Sequence, residues 1–207
     1  MKNIQRLLTI AGSFSLFITL AHAQQPPGAG VGAAPDPDCR GVTDLSCYDR
    51  PLTNLNLSGC TNLQTVYCYN ARLTNLNVSG CTGLQSLECA SNDLRSLDLS
   101  CCVNLQTLYC YDNRLTNLEV TTCGNLKELH CDNNLLTNVS LSACIGLRIV
   151  DCSRNRITDL SSFVANSSRG GLGEGDCVLL SGNPLNDFAR TNQIPYLTNR
   201  GVTVQWP

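Results

Sequence analysis

The stretch LQTLYCYDNRLTNLEVTTCGN, residues 105–125, is one copy of a unit that recurs along this chain every 21 residues. Its neighbours, LQSLECASNDLRSLDLSCCVN (84–104) and LKELHCDNNLLTNVSLSACIG (126–146), keep apolar residues at positions 1, 4, 6, 11, 14 and 16, counted from Leu105 as position 1. The 21-residue pattern continues in phase from Val42 to Ile157, so six units can be recognised. Such a period indicates a solenoid, because no single unit can bury its apolar stripe and neighbouring units must share one core.

Cysteine follows the same period in two interleaved columns. One is at position 6 (Cys47, Cys68, Cys89, Cys110, Cys131, Cys152) and the other at position 19 (Cys39, Cys60, Cys81, Cys102, Cys123, Cys144), which leaves Cys101 and Cys177 outside. The spacing has no CxxC pair, and stacking places each column in a line, so we expect no metal site. Export would permit disulfides, but parallel in-register side chains rarely reach the required torsion. We therefore favour free thiols in most of both columns.

The first eleven positions of each unit, LxxLxCxxNxL, are those of a leucine-rich repeat. The second half repeats the offsets of the first, as in Leu73, Leu76, Val78 and Cys81. The chain thus resembles bacterial leucine-rich-repeat proteins with short, nested 21-residue units. This resemblance implies a mainly β repeat solenoid: a right-handed β-solenoid with a parallel strand ladder, little helix and a C-terminal helix-strand cap. The unit has no room for a helical crossover, so we expect extended or irregular backbone on the convex side.

Asparagine occupies position 9 in four consecutive units: Asn92, Asn113, Asn134 and Asn155. An amide has both donors and acceptors, so a stacked column of amides can satisfy backbone groups at a buried turn. The first two units instead have Arg50 and Ala71 at this position. The departure predicts a weaker N-terminal end and a capping role for the first unit.

The ends divide the chain into four predicted segments. Residues 1–23 have a basic start, an apolar run and the small-x-small sequence Ala21-His22-Ala23, which predicts a signal peptide cleaved near Ala23 and a secreted, periplasmic or cell-surface protein. The apolar run is too short for stable membrane insertion. Residues 24–38 are a flexible leader rich in proline, glycine and alanine, residues 39–187 the repeat array, and residues 188–207 the C-terminal cap. The glycine-rich run before Cys177 lacks a phosphate-loop lysine, so we interpret it as a loop.

Positions 3, 5, 7 and 8 of each unit define what we call the concave face, because positions 4 and 6 point inward. Five of the six tyrosines fall on this face, together with one histidine and several acids. The candidate ligand-binding residues are Tyr48, Tyr67, Tyr69, Glu88, Tyr109, Tyr111, His130, Asp132 and Asp151. Beside them lie Asp49, Asn70, Asp112, Asn133 and Arg154 at position 8.

This mixture of aromatic and acidic groups predicts a binding face for a protein partner, since interfaces favour tyrosine for its large area and polar tip. A glycan is the alternative, with sugar rings stacked on tyrosine, and a third interpretation is that tyrosine is there only for its strand propensity. His130, Asp151 and Ser153 are neighbours, but a flat ladder offers no strained nucleophile turn, so we expect no enzyme activity and no cofactor. The net charge of −2 and the absence of a basic cluster argue against nucleic acid. The oligomeric state stays open.

Overall fold

The structure is a computed structural model of the 207-residue chain, and it describes residues 6–11, 13–18, 39 and 41–207. For 6–11 and 13–18 only the backbone is described: strands β1 (Arg6–Ala11) and β2 (Ser13–Ile18) pair antiparallel in a sheet of their own. The predicted signal cleavage site and the whole of the predicted leader lie outside the described residues. Among the described helices, none has the length and apolar character needed to cross a membrane.

The repeat array forms one parallel sheet of eight strands, each three residues long. Partners in neighbouring strands are 21 residues apart over the regular part of the array, as in the Leu108–Leu129 pair. The strands, numbered in chain order, are β3 (Asp44–Ser46), β5 (Thr65–Tyr67), β7 (Ser86–Glu88), β8 (Thr107–Tyr109), β9 (Glu128–His130), β10 (Ile149–Asp151), β11 (Cys177–Leu179) and β12 (Thr203–Gln205). The predicted parallel-strand solenoid with little helix is confirmed.

The apolar positions of the unit form the core. In the unit that begins at Leu105, the side chains at positions 1, 4, 6, 11, 14 and 16 are all fully buried. The middle residue of each three-residue strand in the regular array is buried, and its two neighbours are at least partly accessible. This burial stacks the units on one continuous hydrophobic cluster from Cys39 to Val202. Solenoid stability then depends on contacts between successive units.

The second half of the unit is extended at the N-terminal end of the array. Strands β4 (Asn54–Asn56) and β6 (Asn75–Asn77) pair in parallel as a separate two-stranded sheet. Further along, the only contact of this kind in the described array is a single parallel bridge between Glu119 and Ser140. The prediction of extended or irregular backbone is therefore met in both ways: the first units are extended, and the later ones are irregular.

A helix that the sequence pattern did not predict interrupts the sixth unit. Helix α1 (Ser161–Ser168) lies between β10 and β11, whose paired residues Ile149 and Cys177 are 28 positions apart rather than 21. The seven additional residues give the chain room for two helical turns, which the regular unit lacks. Phe163 of α1 is fully buried in the core. The periodic pattern could not predict α1, because the insertion has no counterpart in other units.

The C-terminal segment has the predicted helix followed by a strand. A π-helical turn at Ala189–Gln193 leads into α2 (Ile194–Asn199), and β12 then pairs in parallel with β11. Gln193 is buried and ties this segment to the array, because its Oε1 accepts a hydrogen bond from the Leu160 N–H at 2.8 Å. Strand β12 thus adds an eighth rung to the sheet. The four segment boundaries given above stay predictions.

Twelve of the fourteen cysteines are free, as favoured from the sequence. The exception is a disulfide between Cys39 and Cys60, whose Cα atoms are 5.6 Å apart. For this pair the expectation of free thiols is wrong. Neither Cys39, in a 3₁₀ turn ahead of β3, nor Cys60, after β4, lies on a strand, so strand register does not exclude their bond. The four later cysteines of the column also lie off the strands and are free, a difference that the repeat does not explain.

Candidate binding face

A buried column of asparagine side chains at position 9 supports the turn that ends each rung. Asn113 is 8% exposed, and its Oδ1 accepts a hydrogen bond from the Leu94 N–H of the preceding unit at 3.0 Å. Its Nδ2 donates to the carbonyl oxygens of Cys89, Cys110 and Tyr111 at 3.0–3.2 Å. Asn92, Asn134 and Asn155 repeat this pattern. The prediction that these amides satisfy buried backbone groups is confirmed.

The column continues through a residue that the sequence analysis missed. The Oδ1 of Asn183 accepts a hydrogen bond from the Ile157 N–H, and its Nδ2 donates to the carbonyl oxygens of Cys152 and Leu180. Asn183 lies four residues after Leu179, the last residue of β11, as Asn134 does after His130 in β9. Counting back from this asparagine would have identified the unit despite the insertion.

Position 8 has a left-handed backbone throughout the regular array. Its φ angles lie between 51° and 56° at Asp49, Asn70, Ser91, Asp112, Asn133 and Arg154. Asparagine and aspartate tolerate this conformation better than other side chains, which explains why they predominate here. Their side chains also pair between units, since the Asn70 Nδ2 donates to the Asp49 Oδ1 and the Asn133 Nδ2 donates to the Asp112 Oδ1.

The N-terminal part of the concave face is aromatic. The rings of Tyr48 and Tyr69 stack with centroids 4.9 Å apart and planes 1° from parallel. Parallel rungs are about 4.8 Å apart, so side chains at the same position of successive units meet at stacking distance. Tyr48 is 40% exposed and Tyr67 is 38% exposed. The structure therefore places these three predicted residues at the surface.

The middle of the face is a network around Tyr109. Its hydroxyl donates to the Glu128 Oε2 at 2.8 Å, and its ring stacks on the His130 imidazole at 4.8 Å. The hydrogen bond to Glu128 is the main cause that raises the pKa of Tyr109 to about 12, and burial adds to it. Tyr111 and Glu88 are half-buried nearby, and burial raises the pKa of each. Glu128, at position 3, was not among the predicted site residues.

The C-terminal part of the face is acidic. His130 and Asp151 are partners in neighbouring strands, and Asp132 follows His130 by two residues. All three side chains are half-buried. Burial raises the pKa of Asp132, and the charge of Asp151 raises it further. The Asp151 Oδ1 accepts a hydrogen bond from the Ser153 N–H at 2.9 Å, which holds that carboxylate in place.

A groove of about 330 Å³ lies away from this face, on the second half of the unit. It is lined by the segments 95–100 and 116–122, including Arg95, Asp98 and Glu119. None of the predicted site residues lines it.

The repeat array is similar to known proteins in sequence and in structure. Residues 124–165 match the family model for leucine-rich repeats, in two copies. The functional domain of InlJ from Listeria monocytogenes, described as including a cysteine ladder, has 26% identity and a TM-score of 0.64, over 80% of this chain and 34% of that one. This chain thus covers about a third of that relative. A Shigella effector leucine-rich-repeat domain has 20% identity and a TM-score of 0.57, over 81% of this chain and 82% of that one. A search of curated protein sequences finds no match.

Proposed function

Because the chain is a leucine-rich-repeat protein of the bacterial type, we propose that it is a non-enzymatic scaffold that binds a protein partner through its concave face. The observation that best supports this proposal is the set of accessible tyrosines on that face, with Tyr48 and Tyr67 each more than a third exposed. Tyrosine provides large contact area at a small cost in conformational entropy, and it is enriched where interfaces concentrate their binding free energy.

The rigidity of the face supports the same function. Each rung is followed by a turn whose backbone is held by a buried asparagine, as at Asn113 and Asn134. The side chains of the face therefore project from a backbone that has little freedom to lose on binding. A preorganised surface of this kind spends less of its interaction free energy on ordering.

The ring geometry favours a protein over a glycan. Sugar rings bind by stacking on an open aromatic face. Here one face of Tyr48 and one face of Tyr69 cover each other, and one face of Tyr109 is covered by His130. These three rings therefore have at most one open face each and do not form a continuous row of open faces, whereas a mixture of ring edges, hydroxyls and carboxylates suits the mixed polar and apolar surface of a folded protein.

The test is capture of extracellular protein by the immobilised chain, in parallel with capture of cell-wall glycan. We expect a protein partner to be retained by the wild type and lost when Tyr67, Tyr69, Tyr109 and Tyr111 are changed to alanine. Tyr196→Ala is the matched control, because the sixth tyrosine is in α2 and outside the concave face. Circular dichroism checks that the four-fold variant keeps its fold.

A photo-crosslinking amino acid placed at Tyr67 or at Thr121 then distinguishes the two sides of the solenoid. We expect the partner to crosslink from position 67 and not from position 121. Capture that persists in the four-fold variant, together with crosslinking from position 121, would refute the concave face as the site. Retention of glycan alone would refute a protein partner.

We further propose that the protein acts outside the cytoplasm after removal of residues 1–23. This rests on the basic, apolar and Ala-His-Ala segments at the N-terminus. N-terminal sequencing of protein recovered from the medium or cell surface is expected to begin at Gln24. Recovery only from the cytoplasm, with Met1 retained, would contradict it.

A further inference from the structure

Three side chains that can bind a metal converge on the concave face. His130 and Asp151 are cross-strand partners at the ends of β9 and β10, and Asp132 lies two residues after His130, on the same side of the chain. One donor atom from each of His130, Asp132 and Asp151 lies within 4.8 Å of the other two. Two successive rungs thus bring an imidazole nitrogen and two carboxylate oxygens to one point.

Unlike several acidic groups of the face, two of these three side chains lack a partner within the described part of the chain. Asp49, Asp112 and Glu128 each accept a hydrogen bond from a neighbouring side chain. In the part of the chain that the structure describes, neither the His130 ring nitrogens nor the Asp132 carboxylate form a hydrogen bond or ion pair with another residue. The three ion pairs found in that part of the chain all lie elsewhere.

Contacts hold two of the three donors, His130 and Asp151, in position. The Tyr109 ring packs against one face of the His130 imidazole, and the Ser153 N–H fixes one oxygen of Asp151. Two half-buried carboxylates this close repel each other unless a cation lies between them. A divalent cation would replace that repulsion with attraction to both, at little cost in side-chain ordering.

We propose that His130, Asp132 and Asp151 form a site for a divalent transition-metal ion, with Zn²⁺ the ion that fits the donor set. One imidazole and two carboxylates suit Zn²⁺, whereas Ca²⁺ and Mg²⁺ take oxygen ligands alone. Three protein ligands leave at least one coordination position open to water or to a group of a bound molecule. This proposal departs from the expectation of no metal site, which rested on the spacing of the cysteines, because no cysteine is a donor here. The site stands whether or not the face binds a protein.

Isothermal titration of the full chain with ZnCl₂ tests the site. We expect one Zn²⁺ per chain with a dissociation constant in the micromolar range, about −8 kcal/mol. His130→Ala and Asp151→Asn are each expected to weaken binding by about 100-fold or more. Loss of a residue that only orients a metal ligand already costs about 10–100-fold in affinity, and loss of the ligand itself should cost more. The asparagine variant keeps the acceptor for the Ser153 N–H, so its fold should be unaffected.

Two matched controls separate this site from adventitious binding. In the full chain, which still carries residues 1–23, His22→Ala removes the only other histidine. Glu88→Gln removes a carboxylate at the same repeat position two rungs away from His130. Both variants are expected to bind Zn²⁺ as the wild type does, and CaCl₂ is expected to give no binding. Zn²⁺ should also shift the ¹⁵N resonances of the His130 imidazole. Stoichiometric binding that survives His130→Ala, or the absence of Zn²⁺ binding to the wild type, would overturn the proposal.

Discussion

Replacing Asn113 with alanine is expected to destabilise the folded array by about 2 kcal/mol, within the range of about 1–3 kcal/mol for leaving a buried polar group unpaired. Asn113 accepts one hydrogen bond, from the Leu94 N–H, and donates to three carbonyl oxygens, those of Cys89, Cys110 and Tyr111. Removing the side chain therefore affects two successive units at once.

The four bonds do not contribute equally. The Cys89 carbonyl also accepts a hydrogen bond from the Asn92 amide, and the Cys110 carbonyl also accepts one from Asn134. These oxygens keep a partner in the alanine variant. The Leu94 N–H has no second acceptor among the described residues, so it is the group that is left unpaired. One unpaired donor and a small void account for the expected magnitude.

Urea denaturation followed by circular dichroism measures this loss, at pH 6 so that the free thiols stay protonated and exchange slowly. Asn125→Ala is the matched control, since its single hydrogen bond to the Val103 carbonyl is exposed and should be worth less than about 0.5 kcal/mol. Asn113→Asp should cost more than alanine, because its carboxylate would face carbonyl oxygens. A loss at Asn113 no larger than at Asn125 would refute the supporting role of the column.

Three further predictions concern the cysteines and the tyrosine network. Changing both Cys39 and Cys60 to serine opens a loop of 21 residues and should cost about 3 kcal/mol in urea denaturation, so an unchanged midpoint would contradict the disulfide. In unreduced protein, twelve thiols should react with a colorimetric reagent in urea. At most two should react in the native protein, since ten of the twelve are buried. A lower count in urea would reveal further disulfides. Tyr109 should ionise only near pH 12 in an absorbance titration, and Glu128→Gln should lower that pKa. Because the folded state holds this proton more tightly, its stabilisation is full below about pH 10 and is lost as the pH rises through about 12; an identical titration in the variant would contradict the hydrogen bond.

The sequence was sufficient for the features that repeat. The period placed the buried leucines, the asparagine column and the face on which the tyrosines lie, because each is fixed by position within the unit. Apart from the C-terminal helix and strand, the features that occur once were not predicted. Helix α1 depends on an insertion found in a single unit, and the disulfide joins only the first two cysteines of a column whose other members are free. The Tyr109–Glu128 hydrogen bond joins different columns of adjacent units, so it depends on side-chain reach as well as register.

The left-handed backbone at position 8 limits how this surface can be diversified. Six successive units require a residue that accepts a φ near 50° there, and β-branched side chains are strained in that conformation. A combinatorial library built to retarget the protein should therefore hold this column to asparagine, aspartate or glycine. Randomisation belongs at position 5, the last strand residue, and at position 7, just after the strand, because neither position has a positive φ. The set of residues that can evolve new specificity thus differs between positions of the face, because the backbone conformation restricts it independently of any ligand.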